Sequence, residues 1–146
     1  MPLLCLVQHG KAYPESVDPE RSLTPEGADE TRRVAAALAK AGVKIAAIYH
    51  SGKKRAKQTA EIFAEALKPA RLEEAQGLNP NDDPAPWAQR INAIAEDAMI
   101  VGHLPHLARL AASLLGADVV EFRHSAALCL AGPPWRIRWY LTPELA

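Results

Sequence analysis

Short, fully apolar runs alternate along the chain with longer segments in which apolar residues recur every three or four positions. The apolar runs predict buried strands, and the longer segments predict amphipathic helices. The predicted strands are Leu3 to Val7, Val43 to Tyr49, a weakly extended Arg71 to Leu78 and Ala98 to Val101, and the helices lie within Thr24 to Gly42, Lys53 to Leu67, Trp87 to Ile94 and Leu104 to Gly116. Strands that alternate with helices favour a mostly parallel sheet covered on both faces, so the pattern predicts a three-layer α/β/α sandwich.

Three further extended segments follow, rich in apolar and β-branched residues, and they predict strands that close the sheet. They are Val119 to Phe122, Ala126 to Ala131 and Trp135 to Leu141. Two irregular polar stretches with prolines, Lys11 to Ser22 and Asn79 to Pro86, predict loops at the rim of the sheet. The chain has 146 residues, of which 49% are hydrophobic, and we expect residues 1–146 to form a single domain.

The charges balance, with seventeen Lys and Arg against seventeen Asp and Glu, so the formal net charge is zero. A chain without a net field does not predict binding to nucleic acid or to an anionic membrane, and any anion site has to be local. No stretch suits a signal peptide or a transmembrane helix, so we expect a soluble, cytoplasmic protein. Cys5 and Cys129 lie in apolar, strand-like runs, which predicts two buried thiols rather than a disulfide.

Polar residues follow the predicted strands at the points where the strands end. His9 follows the first strand, Ser51 follows the second, and His103 follows a later one. In an open α/β sheet, ligands bind at the carboxyl ends of the strands, so these side chains predict one common site. Helices begin beside two of these strand ends, and their free amides, together with the guanidinium of Arg55, suit an oxyanion such as phosphate.

Three short motifs contain these residues, and a fourth begins the first predicted helix. They are Leu6-Val7-Gln8-His9-Gly10, Leu23-Thr24-Pro25-Glu26-Gly27, Ser51 with Arg55-Ala56-Lys57-Gln58-Thr59-Ala60-Glu61, and Val101-Gly102-His103-Leu104-Pro105. Together they resemble the histidine phosphatase superfamily, and most closely its small phosphohistidine phosphatases of the SixA type, over nearly the whole chain. The resemblance implies a phosphoglycerate mutase-like fold and a phosphoryl-transfer site that needs no metal or other cofactor.

The resemblance also implies roles for individual residues. His9 is expected to be the nucleophile, Arg55 a phosphate clamp and His103 the second histidine of the pocket. The residues expected to bind phosphate are Gln8, Gly10, Ser51, Arg55 and His103. The chemistry is consistent, because neutral imidazole is a nucleophile and a phosphorylated enzyme divides one difficult step into two easier ones. Neighbouring cations and amides disfavour the imidazolium and so keep His9 neutral.

Gln8 departs from the family motif, which usually has arginine at this position. An amide donates hydrogen bonds to phosphate but brings no charge, and losing a charge-assisted contact costs about 1.5–3 kcal/mol. Lys11 or Lys53 would restore the charge if it faced the pocket. Lys53, Lys54 and Lys57 are instead interpreted as a solvated helix face.

Asp82 and Asp83 are candidates for a general acid, although a proline-rich turn also attracts aspartate for structural reasons. A nitrogen leaving group such as imidazole departs without a strong acid, which favours phosphohistidine over a sugar phosphate.

The three other histidines have structural interpretations. His50 either faces the pocket or is buried, and His124 is interpreted as a polar residue at a strand edge. His106 stands three residues after His103, but no third ligand accompanies the pair, so the pattern does not predict a zinc site.

The sequence therefore predicts a metal-independent phosphatase that acts through phospho-His9, with a phosphohistidine-bearing protein, such as a phosphotransfer domain, as its partner. Two alternatives remain open. One is a small-molecule phosphomonoesterase with the same mechanism, and the other is a phospho-ligand binding module in which Gln8 has weakened catalysis.

Overall fold

A six-stranded sheet flanked by four helices forms the protein. The computed structural model describes residues 1–146. The strands are β1 (Leu3–Gln8), β2 (Ala47–His50), β3 (Arg71–Glu74), β4 (Ala98–Gly102), β5 (Ala127–Ala131) and β6 (Arg136–Leu141), and the helices are α1 (Pro25–Lys40), α2 (Lys54–Leu67), α3 (Ala85–Asn92) and α4 (His106–Leu115). No helix is long and apolar enough to cross a membrane.

The strands lie in the order β3-β2-β4-β1-β5-β6. All pairings from β3 to β1 are parallel, whereas β5 pairs antiparallel with both β1 and β6. The predicted α/β class is confirmed. The sheet is mixed, because two antiparallel pairings accompany the three parallel ones. Strand β1 consequently lies at the boundary between a parallel half and an antiparallel half.

Side chains of β1 alternate between two buried clusters, one on each face of the sheet. Leu4 and Leu6 belong to the cluster that includes residues of α3 and α4. Cys5 and Val7 belong to the cluster that includes residues of α1 and α2. A strand covered on both faces is apolar on both, which explains why β1 is an unbroken apolar run in the sequence.

Helix α1 begins as the sequence predicts, because the side-chain oxygen of Thr24 accepts the N–H of Gly27 at 3.0 Å. Beyond the other end of α1, the N–H of Val43 donates to the carbonyl of Leu38 at 3.0 Å. This bond holds the segment against the helix end and outside the sheet. Strand β2 therefore begins at Ala47, and the predicted strand start at Val43 is wrong.

The prediction of a strand over Val119 to Phe122 is also wrong, because this segment pairs with no strand. Its backbone groups bond instead to the hydroxyl of Tyr140. That hydroxyl accepts the N–H of Arg123 at 2.8 Å and donates to the carbonyl of Glu121 at 2.9 Å. The segment therefore remains irregular, although its residue Phe122 is buried.

Cys5 and Cys129 form a disulfide, so the prediction of two free thiols is wrong. Cys5 on β1 lies directly opposite Cys129 on β5 in the antiparallel register, with the two Cα atoms 4.1 Å apart. Both side chains are fully buried, as expected. The two residues are 124 positions apart in the chain, and no local pattern indicates that the first and fifth strands are neighbours.

Candidate active site

Strands β2, β4 and β1 lie side by side and run parallel, so their carboxyl ends reach the same edge of the sheet. His9, Ser51 and His103 directly follow these three strands. The N–H of His9 donates to the carbonyl of Gly102 at 3.0 Å and joins the ends of β1 and β4. The structure brings the three side chains together: the rings of His9 and His103 are 5.1 Å apart, and the Ser51 hydroxyl lies 2.6 Å from Nε2 of His103.

His9 is only 6% exposed, and its orientation is set by its own backbone neighbour. Its Nδ1 lies 2.7 Å from the carbonyl oxygen of Gly10, which can only accept a hydrogen bond. The proton is therefore assigned to Nδ1, and Nε2 retains its lone pair. Burial, assisted by the nearby charge of Arg55, lowers the pKa of His9 to about 4, so the ring is neutral at pH 7.

His103 is more deeply buried than His9, at 1% exposure. Burial, together with the proximity of His9 and then Arg55, lowers its pKa to about 3. His103 is thus neutral at pH 7 as well, and it can act only through hydrogen bonds. Its Nε2 bonds to Ser51, and its Nδ1 has no partner within the protein.

The unfolding free energy should fall as the pH decreases from about 6.5 to about 4. The unfolded chain protonates His9 near its ordinary pKa of 6.5, whereas the folded state keeps the ring neutral down to about 4. The unfolded state therefore binds more protons in this interval and gains relative stability as the pH falls. The unfolding free energy can be measured with urea at about pH 7 and at about pH 4.5. Its decrease between these two pH values should be larger in wild type than in His9→Gln, by on the order of 2 kcal/mol. Equal losses in the two proteins would contradict a neutral, buried His9.

Arg55 and Arg21 form the cationic side of the site. Both line a cavity of about 540 Å³ together with Lys53 and Lys54. Nε of Arg55 is buried without a partner, and burial, followed by the charge of Arg21, lowers the pKa of Arg55. Two guanidinium groups that repel each other in this way are suited to share one anion.

Sequence reasoning missed Arg21 because it lies in an irregular loop with no periodicity. Its backbone is left-handed, with φ of 53°, and its Nε donates to the carbonyl of Tyr13 at 3.0 Å. Its charge contributes to the lowered pKa of both His9 and Arg55, which places it at the site. The only local signal was a basic residue three positions before the helix cap Thr24.

Gln8 is 8% exposed, and its amide oxygen has no hydrogen-bond partner within the protein. Lys11 does not supply the charge that Gln8 lacks, because its ammonium group is 2.8 Å from Glu26 and 3.5 Å from Glu30. Lys54 is likewise paired with a carboxylate, that of Glu20, at 2.9 Å.

Gly10 is required for close packing behind His9. A Cβ atom at this position would lie 2.9 Å from Oγ1 of Thr31 and 3.0 Å from Oγ of Ser125. The N–H of Gly10 donates to Oγ1 of Thr59 at 2.9 Å. Because the N–H of Gly10 is already bonded to Thr59, it is not free to donate to a phosphoryl oxygen. This differs from the expectation that Gly10 binds phosphate.

His124 pairs with Gln8 at the end of β1 in an isolated β-bridge, which agrees with its interpretation as a strand-edge residue, and this pairing also places it beside His9. It precedes β5, its ring centroid is 5.3 Å from that of His9, and its Nδ1 is 2.9 Å from the backbone carbonyl of His9. The pairing of β5 with β1 brings it there, and no local feature of the sequence indicates that pairing.

The remaining candidates have structural contacts. His50 is buried and its Nδ1 accepts the N–H of Gly52, whereas neither ring nitrogen of His106 has a partner. Asp82 accepts the N–H of Asn79 in its turn, and Asp83 accepts the N–H of the first residue of α3. No group of three or more His, Cys, Asp or Glu side chains is placed to hold a metal ion.

The chain belongs to the histidine phosphatase superfamily. The profile of the histidine phosphatase superfamily (branch 1) matches residues 4–80, which is more than half of the chain and includes His9 and Arg55. No curated protein matches the sequence. Membership in this superfamily indicates a phosphatase.

Solved structures confirm the predicted fold and the resemblance to SixA. The protein histidine phosphatase SixA in complex with tungstate has a TM-score of 0.88 and 26% identity, covering 97% of both chains. A protein from Agrobacterium tumefaciens assigned as phosphohistidine phosphatase SixA has a TM-score of 0.84 and 23% identity, covering 98% of this chain and 99% of that one. Phosphoserine phosphatase from Entamoeba histolytica, in complex with 3-phosphoglyceric acid, has a TM-score of 0.74 and 16% identity, covering 97% and 98%.

Proposed function

We propose that this protein is a metal-independent phosphatase that transfers a phosphoryl group to His9 and then to water. The observation that carries the proposal is the 2.7 Å contact between Nδ1 of His9 and the carbonyl of Gly10. This contact holds the proton on Nδ1 and leaves Nε2 free to attack phosphorus. The low pKa of His9, about 4, means that the attacking form is present throughout the neutral range.

The neighbours of His9 supply the binding of the phosphoryl group. Arg55 and Arg21 carry fixed positive charges that stabilise the phosphoryl oxygens, in the way that cationic clamps assist phosphoryl transfer generally. The hydrogen-bonded pair of Ser51 and His103 lies on the same edge of the sheet. We propose that this pair also binds the phosphoryl oxygens. These roles require no metal ion.

Phosphohistidine on another protein is the substrate class we propose. The likeness to the protein histidine phosphatase SixA supports it, at 26% identity over 97% of both chains. The rim supports it too, because Val17 in the rim loop Lys11 to Ser22 and Leu104 next to His103 are 66% and 38% exposed. Enzymes that act on small metabolites usually bury the substrate and close over it, whereas an exposed rim admits a side chain on a folded partner.

A phosphate-binding module without turnover is the second candidate, and Gln8 is the observation that favours it. Trapping separates the two functions. Rapid quenching of the wild type with a ³²P-labelled phosphohistidine protein should give a phosphoenzyme that is labile in acid and stable in alkali. Binding of the labelled substrate without any covalent label would favour the binding module.

Replacing Gln8 by arginine should tighten the binding of orthophosphate or vanadate by about tenfold or more, since a charge-assisted contact contributes about 1.5–3 kcal/mol. Calorimetry at fixed salt measures the change, with Gln8→Met as the control that removes the amide without adding charge. Weaker binding by the arginine variant would mean that Gln8 is adapted to this site.

A further inference from the structure

The site lacks an assigned proton donor for the leaving group. Asp82 and Asp83, the carboxylates that the sequence suggested, accept backbone N–H groups of their own loop and of α3. His103 is buried and has its pKa lowered to about 3, so it does not carry a proton at pH 7. A leaving group that needs a proton therefore has to receive it from another element.

His124 is held beside the nucleophile by two contacts with the end of β1. Its Nδ1 lies 2.9 Å from the carbonyl of His9, and the N–H of the next residue, Ser125, donates to the carbonyl of Gln8 at 2.9 Å. Because a carbonyl only accepts, Nδ1 of His124 carries a proton. Its second nitrogen, Nε2, is the ring atom left to exchange a proton with a bound group.

His124 and Gln8 line a cavity of about 370 Å³ that is separate from the cavity of the two arginines. The charged groups that line it are Lys11, Glu30, Glu121, Arg123 and Glu144. Arg123 is paired with Glu144 at 2.9 Å, and Lys11 is paired with Glu30 at 3.5 Å, so neither of these two cations is free to bind an anion. Because the phosphoryl oxygens are attracted to the arginines, this second cavity is left for the rest of the substrate.

Two of the residues that line this cavity carry acceptors that match a nitrogen leaving group. The amide oxygen of Gln8 and one carboxylate oxygen of Glu30 are buried and have no donor within the protein. A buried acceptor without a donor costs free energy, and an N–H on the departing group removes that cost. The imidazole or amine released from a phosphoramidate carries such an N–H.

We propose that His124 is the general acid and base of the reaction, a role that rests on the function proposed above. In the first step Nε2 of His9 forms a bond to phosphorus, and the bond from phosphorus to the leaving atom breaks. The leaving atom keeps the electron pair and takes the proton from Nε2 of His124. In the second step water attacks phosphorus, the bond to His9 breaks with its electron pair returning to Nε2, and the water proton passes to His124.

The test compares wild type and His124→Gln on three aryl phosphates whose leaving groups differ in acidity: phenyl, 4-nitrophenyl and 2,4-dinitrophenyl phosphate. A poor leaving group needs a proton, whereas 2,4-dinitrophenolate departs without one. We expect kcat/KM of the variant to fall by about a hundredfold on phenyl phosphate and by less than about threefold on 2,4-dinitrophenyl phosphate. Activity on the latter also shows that the variant is folded.

Arg123→Gln is the matched control, because Arg123 is an exposed neighbour in the same cavity and has no role in proton transfer. Its effect should be the same on all three esters. An equal loss on all three in His124→Gln would make His124 a ligand of the phosphoryl group, and no loss on any would leave it without a chemical role; either result overturns the proposal. A wild type that turns over none of the esters and none of the phosphoramidates would instead overturn the proposed phosphatase function, and this inference with it.

Discussion

Replacing His9 by alanine should lower kcat/KM by about ten-thousandfold or more, because removing a covalent nucleophile leaves only binding and electrostatic assistance. The fold should survive, since the only hydrogen bond of the His9 side chain is to the adjacent residue Gly10. The measurement is kcat/KM on a phosphohistidine protein, together with the acid-labile label. An alanine variant that still becomes labelled would exclude His9 as the nucleophile.

His106→Leu provides the matched control for this loss. His106 is also a fully buried histidine near the same edge of the sheet, but neither of its ring nitrogens has a partner. Replacing an unsatisfied buried polar group by an apolar group of similar size is nearly neutral or stabilising. We expect this variant to keep its activity within about threefold and to unfold at an equal or higher urea concentration.

A phosphohistidine-bearing protein domain should be turned over with kcat/KM at least about a hundredfold higher than sugar phosphates or aryl phosphates. This ratio corresponds to roughly 2.7 kcal/mol of differential transition-state stabilisation. Its expected physical origin is contact between the partner and the rim, where Val17 and Leu104 are exposed. Parallel measurements of kcat/KM on the three substrate classes decide the matter.

Free phosphohistidine is the control for this preference, because it has the same leaving group without the partner surface. If the free amino acid is as good a substrate as the protein domain, the preference comes from the phosphoramidate bond alone. If a small phosphomonoester is preferred to both, the protein is a small-molecule phosphatase with the same chemistry.

Much of the parallel half of the fold was predictable from local patterns. The apolar runs and helix caps located β1, β4 and α1, and the residues that follow the strands identified His9, Ser51 and His103. This is possible because the carboxyl ends of parallel strands share an edge, so the order of elements along the chain already implies which residues converge.

Features that depend on non-local pairing were not predictable. The antiparallel pairing of β5 with β1 brings His124 next to His9. The same pairing places Cys5 opposite Cys129, where they form the disulfide. Arg21 belongs to a loop whose path is set by single contacts, such as the one to Tyr13, and such contacts leave no periodic signal in the sequence.

Because β1 lies between the two halves of the sheet, the rim has two parts, whose residues either follow a strand or precede one. On one side the rim residues come from strands that leave the sheet, and each of those strands is followed by a helix whose packing restricts what can be changed there. On the other side residues 123–125 enter the sheet ahead of β5, with an irregular segment before them. If His124 has the proposed role, substitutions in that entering segment change how leaving groups are protonated and leave Arg55 and Ser51, which belong to the other half of the rim, in place.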